Sequence, residues 1–166
     1  MKTMKSAQPD KQGIARARVR PMIRRDASEV LRIEWESFDW PWEKADFLRV
    51  LGLRNCTGMV AEIDDRVAGY MVYVSRTRSI DLLNFAVAAD CRRREVGSQL
   101  AAWLKAALTS QRQWQIFTHV RESNLAAQLF FKSLGFRCRA IVPCYYDNDE
   151  DAYRFAWRPR AGESIR

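Results

Sequence analysis

The sequence predicts a single α/β domain with a mixed, mostly antiparallel sheet flanked by helices. The chain has 166 residues, of which 48% are hydrophobic, and this is enough for one sizeable core. Its apolar segments follow strand or helix periodicity in the order β-α-α-β-β-β-α-β-α-β-β. No repeat or linker interrupts that order, so one domain with a mixed sheet is expected.

The first predicted elements are a strand and two helices. Residues 15–23 alternate apolar and arginine side chains, which is typical of a half-exposed strand. Asp26 and Glu29 have capping-box spacing and predict a helix that continues to about Ser37. A second helix is predicted around Phe47. The apolar face of the first helix is expected to contain Val30, Leu31, Ile33 and Trp35.

The later segments predict the rest of the sheet and another helix. Asp64-Asp65-Arg66 separates two apolar runs and predicts a hairpin. Gly135 is suited to end a helix over residues 124–134, whose inward side chains are expected to be Leu125, Leu129 and Phe130. The predicted strands are residues 57–63, 67–75, 82–87, 115–120, 137–142 and 152–157.

The stretch from residue 82 to residue 108 combines an apolar strand, a basic turn and an amphipathic helix. The turn brings Arg92, Arg93 and Arg94 close to Gly97 at the helix entrance. A helix N-terminus has unpaired N–H groups and a partial positive charge, so this arrangement predicts an anion site. An ordinary strand-to-helix turn with a solvated charge run explains the same residues.

The formal net charge of +8 is concentrated near the N-terminus. Residues 1–25 contain eight lysines and arginines against one acid, whereas the rest of the chain is nearly neutral. This asymmetry is compatible with proximity to RNA or to the ribosome. A solubilising tail explains it equally well, because no aromatic residues are interleaved to stack on bases.

Several classes of protein are disfavoured by the composition. No run approaches the roughly 18 apolar residues of a membrane helix, and the N-terminus lacks the apolar stretch of a secretory signal. The four cysteines have no C-x-x-C spacing and there is one histidine, so we expect no metal site and a cytoplasmic location. Residues 1–14 are expected to be a disordered basic tail, residues 15–158 the folded domain, and residues 159–166 a C-terminal tail.

Two groups of aromatic side chains are candidates for a binding site. Phe38-Asp39-Trp40-Pro41-Trp42-Glu43, called the aromatic loop below, lies between the first two predicted helices. Tyr145-Tyr146 precedes the last predicted strand. Exposed tryptophans are unfavourable in water, so the aromatic loop either packs into the core or forms a binding wall.

A pyrophosphate-like loop and five further motifs in the correct order, spread over roughly residues 17–158, resemble those of the GNAT family of N-acetyltransferases. Asn84-Phe85-Ala86-Val87 resembles the strand of that family whose backbone pairs with the pantetheine arm. Arg92-Arg93-Arg94-Glu95-Val96-Gly97 resembles the Q/R-x-x-G-x-G/A pyrophosphate loop of that family. Val120-Arg121-Glu122-Ser123-Asn124 resembles V-R-x-S-N, and Phe131-Lys132-Ser133-Leu134-Gly135-Phe136 resembles Y-x-x-L-G-F. The aromatic loop and the Y-Y…E-D-A pattern of residues 145–152 resemble N-terminal acetyltransferases, most of all the ribosomal-protein-alanine N-acetyltransferases.

This resemblance implies a GNAT-like sheet and the transfer of acetyl from acetyl-coenzyme A, without a metal, to the α-amine of a protein N-terminus. It implies that His119 is the general base and that Trp40-Pro41-Trp42 and Tyr145 contact the acceptor. Tyr145 or Tyr146 would serve as the acid. The residues implied for coenzyme A are Phe85, Ala86, Val87, Arg92, Arg93, Arg94, Glu95, Val96, Gly97, Ser98, Asn124 and Phe131.

Three positions depart from the pattern of the family. Glu95 stands at the first glycine of the pyrophosphate loop, His119 stands at a glutamate base, and Phe131 stands at a tyrosine acid. Histidine is a competent base near neutral pH, but phenylalanine cannot donate a proton. A single histidine at a strand end is also a common structural residue.

Three functions therefore remain open from the sequence. The first is an N-terminal protein acetyltransferase, and the second is a lysine or small-molecule amine acetyltransferase on the same fold. The third is a catalytically degenerate module that binds coenzyme A or the ribosome, which Glu95 and Phe131 favour. The identity of the acceptor and the oligomeric state are left open.

Overall fold

The computed structural model describes residues 16–110 and 114–159, which form a seven-stranded sheet and four α-helices. The predicted order of elements is confirmed. The expected tail at residues 1–14 and residues 160–166 of the C-terminal tail lie outside the described part. The elements are β1 (Arg18–Pro21), α1 (Ala27–Ser37), α2 (Lys44–Leu51), β2 (Cys56–Ile63), β3 (Arg66–Ser75), β4 (Ser79–Val87), α3 (Val96–Ser110), β5 (Gln115–Arg121), α4 (Leu125–Ser133), β6 (Arg137–Val142) and β7 (Ala152–Trp157).

The sheet has the strand order β1-β2-β3-β4-β5-β7-β6. Strands β4 and β5, which α3 connects, are parallel, and every other neighbouring pair is antiparallel. Asp64 and Asp65 have positive φ angles of 49° and 62°, as the tight β2–β3 hairpin requires. The predicted fold class, a mixed and mostly antiparallel sheet flanked by helices, is confirmed.

Two buried clusters lie on opposite faces of the sheet, because alternate residues of β2 and β3 belong to different clusters. Helices α1 and α2 contribute Val30, Ile33 and Phe47 to one cluster. Helices α3 and α4 contribute Leu100 and Phe131, among others, to the second. Among the described helices, none is both long and apolar enough to cross a bilayer.

Helix α1 begins after Asp26 and ends at Ser37 as predicted, but the predicted capping box and part of the predicted apolar face are wrong. Asp26 precedes the helix but caps it with no side-chain hydrogen bond, because its carboxylate forms a buried ion pair with Arg20 at 2.7 Å. Glu29 instead accepts a hydrogen bond from the Val67 N–H. Trp35 is 64% exposed, whereas Glu34 is 1% exposed. Glu34 therefore occupies the inward position beside the core.

The predicted inward face of α4 is partly wrong. Phe130 packs against the buried cluster as expected, but Leu125 and Leu129 are 62% and 56% exposed. The helix presents Ala127 and Phe131, an i,i+4 pair, to the sheet instead. Both leucine and phenylalanine satisfy helical periodicity, so the sequence pattern did not distinguish the two faces.

Candidate active site

A gap in the sheet separates the ends of β4 and β5. The two strands pair only between Ser79–Leu82 and Gln115–Thr118. Beyond that point β4 pairs with β3 up to Val87, and β5 pairs with β7 up to Arg121. The backbone of residues 83–87 therefore has no strand partner on the β5 side, and such an edge is suited to bind an extended ligand.

A β-bulge at Leu83 determines which side chains of β4 face the gap. Val72 pairs with Asn84 and Tyr73 pairs with Leu82, which leaves Leu83 as the extra residue. The side chain of Asn84 is buried, and its amide reaches α1. Phe85, one residue further, packs against the α3/α4 cluster. Ile80 and Leu82 before the bulge share a cluster with Phe85 after it, whereas Ala86 belongs to the other cluster. The bulge thus moves the even-numbered positions of β4 to the opposite face of the sheet.

The first cavity, called the helix-entrance cavity, has a volume of about 550 Å³ and lies where α3 begins. Eleven of the twelve residues that the sequence implies for coenzyme A line it, and Arg94 does not. The lining also includes the aromatic rings of Phe38 and Phe130. The predicted residues that line it are Phe85, Ala86, Val87, Arg92, Arg93, Glu95, Val96, Gly97, Ser98, Asn124 and Phe131.

The turn before α3 exposes backbone donors to this cavity. The first α3 amide bonded to a carbonyl four residues earlier is that of Gln99, which donates to the Glu95 carbonyl at 3.0 Å. The amides of Val96, Gly97 and Ser98 precede that bond, so they belong to the unpaired first turn. Arg92 is fixed by hydrogen bonds from its guanidinium to the Val87 carbonyl (3.1 Å) and the Ser37 hydroxyl (3.1 Å). This arrangement is suited to bind a phosphate group.

Glu95 has a φ of 64°, in the left-handed region where a glycine is favoured. Its carboxylate also lies at the helix N-terminus, where it stabilises the helix by about 0.3–1 kcal/mol but competes with an incoming anion. We expect Glu95→Gly to bind acetyl-coenzyme A about two- to fivefold more tightly in calorimetry, as this energy converts to that ratio.

The matched control is Arg93→Gly, because Arg93 lines the same cavity and also has a positive φ, of 57°. Both changes relieve the backbone, but this one removes a cation and is expected to weaken binding. If both variants change affinity in the same direction, the backbone rather than the charge is responsible.

The second cavity, called the aromatic cavity, has a volume of about 910 Å³ and lies on the other side of the gap. Its walls come from α1, the aromatic loop, the end of β5 and the β6–β7 loop. The predicted acceptor and catalytic residues all line it, namely Trp40, Pro41, Trp42, His119, Tyr145 and Tyr146. The two cavities meet, since both are lined by Phe38, Phe85, Asn124, Ala127 and Phe131.

The aromatic loop is divided between the two roles that the sequence left open. Trp42 is partly buried and packs edge-to-face on Phe47 of α2, with ring centroids 5.3 Å apart. Phe47 packs in the same way on Tyr70 of β3 at 5.8 Å. Trp40, in contrast, is 64% exposed at the mouth of the aromatic cavity. Trp42 therefore anchors the aromatic loop, and Trp40 forms part of the wall of the aromatic cavity.

His119 lies on β5, one residue beyond the last pair with β4, and is half-buried. Its ring stacks on Tyr145 with centroids 4.4 Å apart and an angle of 11°. Burial, and then the positive charge of Arg154, hold the pKa of His119 below its ordinary value, although Asp81 acts in the opposite direction. The imidazole is therefore neutral near pH 7 and is able to accept a proton.

Tyr145 and Tyr146 lie in the β6–β7 loop, which hydrogen bonds from Arg121 and Ser123 to Glu150 hold in place. Their rings meet edge-to-face at 5.0 Å, and the guanidinium of Arg121 lies 3.8 Å from the Tyr146 centroid. Glu150 accepts hydrogen bonds from Ser123 and Arg121, which lower its pKa to about 2. Burial raises the pKa of Tyr145, and it raises that of Tyr146 to about 12. Both phenols therefore keep their protons at neutral pH.

Phe131 forms the floor between the two cavities. It is buried and packs on Phe85 and Phe136, with ring centroids 5.9 Å and 5.2 Å away. No hydroxyl is available at this position, so any proton donor must come from the aromatic cavity or from water. Within the described residues, no group of three or more His, Cys, Asp or Glu side chains is arranged to hold a metal ion.

Glu34 and Asn84 line the aromatic cavity. The sequence did not identify Glu34 as a site residue, and it pointed to Asn84 only as part of the strand expected to pair with the pantetheine arm. Glu34 accepts hydrogen bonds from the Trp42 N–H at 2.7 Å and the Asn84 side-chain amide at 3.0 Å. The Tyr70 hydroxyl donates to its second oxygen. The available signal was a charged residue between the apolar positions Ile33 and Trp35, but an exposed face explains that pattern more simply.

Comparison with known proteins also indicates an acetyltransferase. The acetyltransferase (GNAT) family matches residues 27–136. An uncharacterized N-acetyltransferase of Methanocaldococcus jannaschii is 30% identical over 135 residues, which covers 81% of this chain and 86% of the relative. The [ribosomal protein bS18]-alanine N-acetyltransferase of Salmonella typhimurium is 30% identical over 121 residues, or 73% and 81% of the two chains. The crystal structure of Ard1 from Thermoplasma volcanium, at 26% identity, superposes with a TM-score of 0.80 over 89% of this chain and 100% of its own. The chain belongs to the GNAT family of acetyltransferases.

Proposed function

We propose that this acetyltransferase transfers the acetyl group of acetyl-coenzyme A to the N-terminal α-amine of a protein or peptide. The observation that carries the proposal is the meeting of two cavities at the gap between β4 and β5. One offers helix amides and arginines to an anion, and the other offers aromatic walls and His119. A relative at 30% identity bears the name of a ribosomal-protein-alanine N-acetyltransferase, which supports a protein acceptor.

On this proposal the helix-entrance cavity holds the pyrophosphate at the start of α3. The unpaired edge of residues 83–87 receives the extended pantetheine arm, and this directs the thioester toward the gap. Backbone N–H groups near Phe85 to Val87 are then available to stabilise the oxyanion that forms when the thioester carbonyl is attacked. Phe131 contributes shape but no proton.

The acceptor amine enters through the aromatic cavity. An α-amine has a pKa of about 7.7–8.0, against about 10.4 for lysine, so it loses its proton with less help. Neutral His119, directly or through a water, takes the proton as the nitrogen attacks the carbonyl carbon. The carbon–sulfur bond then breaks and coenzyme A leaves as a thiolate. Its thiol has a pKa of about 8.5, so the thiolate is able to leave without an acid. Tyr145 and Tyr146 keep their protons and supply the nearest phenolic donors.

The cellular setting is proposed from charge and cysteine chemistry. Cys56, Cys91, Cys138 and Cys144 are free thiols, which favours a reducing compartment such as the cytoplasm. The basic residues concentrated in the first 25 positions are compatible with proximity to the ribosome.

The proposal is tested with purified protein, acetyl-coenzyme A and matched pairs of peptides, one with a free alanine N-terminus and one with that terminus blocked and a lysine inside. Mass spectrometry is expected to find acetyl only on the free α-amine. Acetylation of the blocked peptides alone would assign the enzyme to lysine or to small amines. Binding of acetyl-coenzyme A without transfer to any amine would favour the degenerate module.

A further inference from the structure

We propose that Glu34 is a positioning residue that fixes the aromatic loop to strand β4 and thereby sets the shape of the acceptor site. The proposal rests on the assignment of the aromatic cavity to the acceptor. Glu34 lies in α1 and is 1% exposed, although its neighbours Trp35 and Glu36 are exposed. A buried carboxylate is costly unless its oxygens are hydrogen-bonded.

The contacts of Glu34 join elements that are distant in sequence. One oxygen accepts from the backbone N–H of Trp42 at 2.7 Å and from the side-chain amide of Asn84 at 3.0 Å. The other oxygen accepts from the hydroxyl of Tyr70 in β3. One carboxylate therefore connects α1, the aromatic loop, β3 and β4. Such charge-assisted bonds are about twice as strong as neutral ones.

The two residues that donate to the same Glu34 oxygen, Trp42 and Asn84, both line the aromatic cavity. Trp42 is followed and preceded by residues that line the aromatic cavity, including exposed Trp40. Asn84 precedes Phe85, which lines both cavities and begins the unpaired edge expected to receive the thioester. Because Glu34 binds both, it links the acceptor wall to the strand beside the acetyl group, in addition to the packing of Trp42 on Phe47.

Burial raises the pKa of Glu34, while the hydrogen bonds from Tyr70, Trp42 and Asn84 lower it. The anchoring role does not depend on whether Glu34 is ionised. The oxygen that accepts hydrogen bonds from the Trp42 N–H and the Asn84 amide is able to accept them in either protonation state. Glutamine offers the same carbonyl acceptor to both donors, and the Tyr70 hydroxyl is able to accept from the new amide. Glutamine at position 34 is therefore the conservative replacement, and methionine is the disruptive one.

The test compares Glu34→Met, Glu34→Gln and Glu34→Asp with the wild type. Methionine fills the site but leaves the Trp42 N–H and the Asn84 amide unpaired. Aspartate keeps the charge but withdraws the oxygens by about 1.5 Å, one carbon–carbon bond, so a folded variant is available even if methionine is not tolerated. The KM for the acceptor, the KM for acetyl-coenzyme A and the hydrogen exchange of the Trp42 amide by NMR are measured for each.

We expect Glu34→Met and Glu34→Asp to raise the acceptor KM at least about tenfold and to speed exchange of the Trp42 amide. The KM for acetyl-coenzyme A should stay within about twofold, and Glu34→Gln should restore the acceptor KM to within about threefold. Asp26→Leu is the matched control, because Asp26 is also a buried carboxylate at the start of α1, paired with Arg20 and outside both cavities. It should lower the melting temperature without changing the acceptor KM.

Equal rises in both KM values, or an acceptor KM unchanged in Glu34→Asp, would overturn the positioning role. Failure of the proposed function is distinguishable from failure of this inference. If the wild type acetylates only lysines or small amines, the same KM comparison is made on that acceptor. If it acetylates nothing, Trp42 exchange still reports whether Glu34 holds the loop, and unchanged exchange would refute it.

Discussion

Replacing His119 with alanine is expected to lower the maximal rate of acetyl transfer by roughly 10²–10⁴-fold, the usual contribution of a general base. The affinity for acetyl-coenzyme A should be unchanged, because His119 lines the aromatic cavity and not the helix-entrance cavity. The measurement is single-substrate kinetics on a peptide that begins with alanine, together with calorimetry of acetyl-coenzyme A.

The pH dependence gives this prediction its sharpest form. The wild-type rate should rise with pH through an apparent pKa below about 6.5, the free-histidine value, because burial and Arg154 lower the pKa of His119. The rise marks loss of the imidazole proton, since only the neutral ring accepts a proton. In His119→Ala this limb should disappear, and the limb of the α-amine itself, at about 7.7–8.0, should remain.

His119→Glu is the rescue variant, because the resemblance implies glutamate at this position in the alanine acetyltransferases. It should recover part of the rate lost in His119→Ala. A His119→Ala enzyme with a near-normal rate and an unaltered pH profile would move the base elsewhere, most simply to a water held by Tyr145 or Tyr146.

The second large effect is expected at Gly97, where Gly97→Val should weaken acetyl-coenzyme A binding by at least about tenfold. A Cβ at this position would lie 3.0 Å and 3.1 Å from two ring carbons of Phe130 and 3.6 Å from a methyl of Val87. Both neighbours line the helix-entrance cavity, so the added methyls must displace its wall. Overpacking of this kind costs about 1–3 kcal/mol of folding stability when the wall does not move. When the wall moves into the cavity instead, a loss of about 1.4 kcal/mol in binding free energy corresponds to tenfold in affinity.

Gly58→Val is the matched control for general destabilisation. A Cβ at Gly58 would meet Leu51 at 3.0 Å and Met22 at 3.3 Å, and none of these residues lines either cavity. The control should lose stability in thermal unfolding but bind acetyl-coenzyme A normally. Unchanged calorimetric affinity in Gly97→Val would show that the cofactor does not lie against the start of α3.

The structure also changes the reason why glycine is suited to position 97. In a pyrophosphate loop, a glycine allows the backbone to approach the phosphate closely. The nearest atoms to a Cβ there belong to the ring of Phe130 in α4, so close packing between α3 and α4 already excludes larger side chains. Arg93 and Glu95, with φ angles of 57° and 64°, are the residues of this turn whose backbone conformation favours glycine.

The sequence by itself determined the order of the elements and much of their extent. Alternation and turn residues are local signals, so the ends of β6 and β7 were predicted correctly. Motif spacing likewise identified residues that line both cavities, including His119, Gly97 and the aromatic loop. These features depend on short stretches of chain, so they can be predicted without knowing which residues pack against them in the fold.

Only the tertiary structure decided which side chains face inward. The bulge at Leu83 depends on pairing with β3, and it directs Asn84 toward α1. With Asn84, Tyr70 and the Trp42 amide converging on one point, the inward position of α1 goes to Glu34 rather than to Trp35. A buried carboxylate needs hydrogen-bond donors from several elements at once. The helical pattern of one segment does not predict which donors the other elements supply.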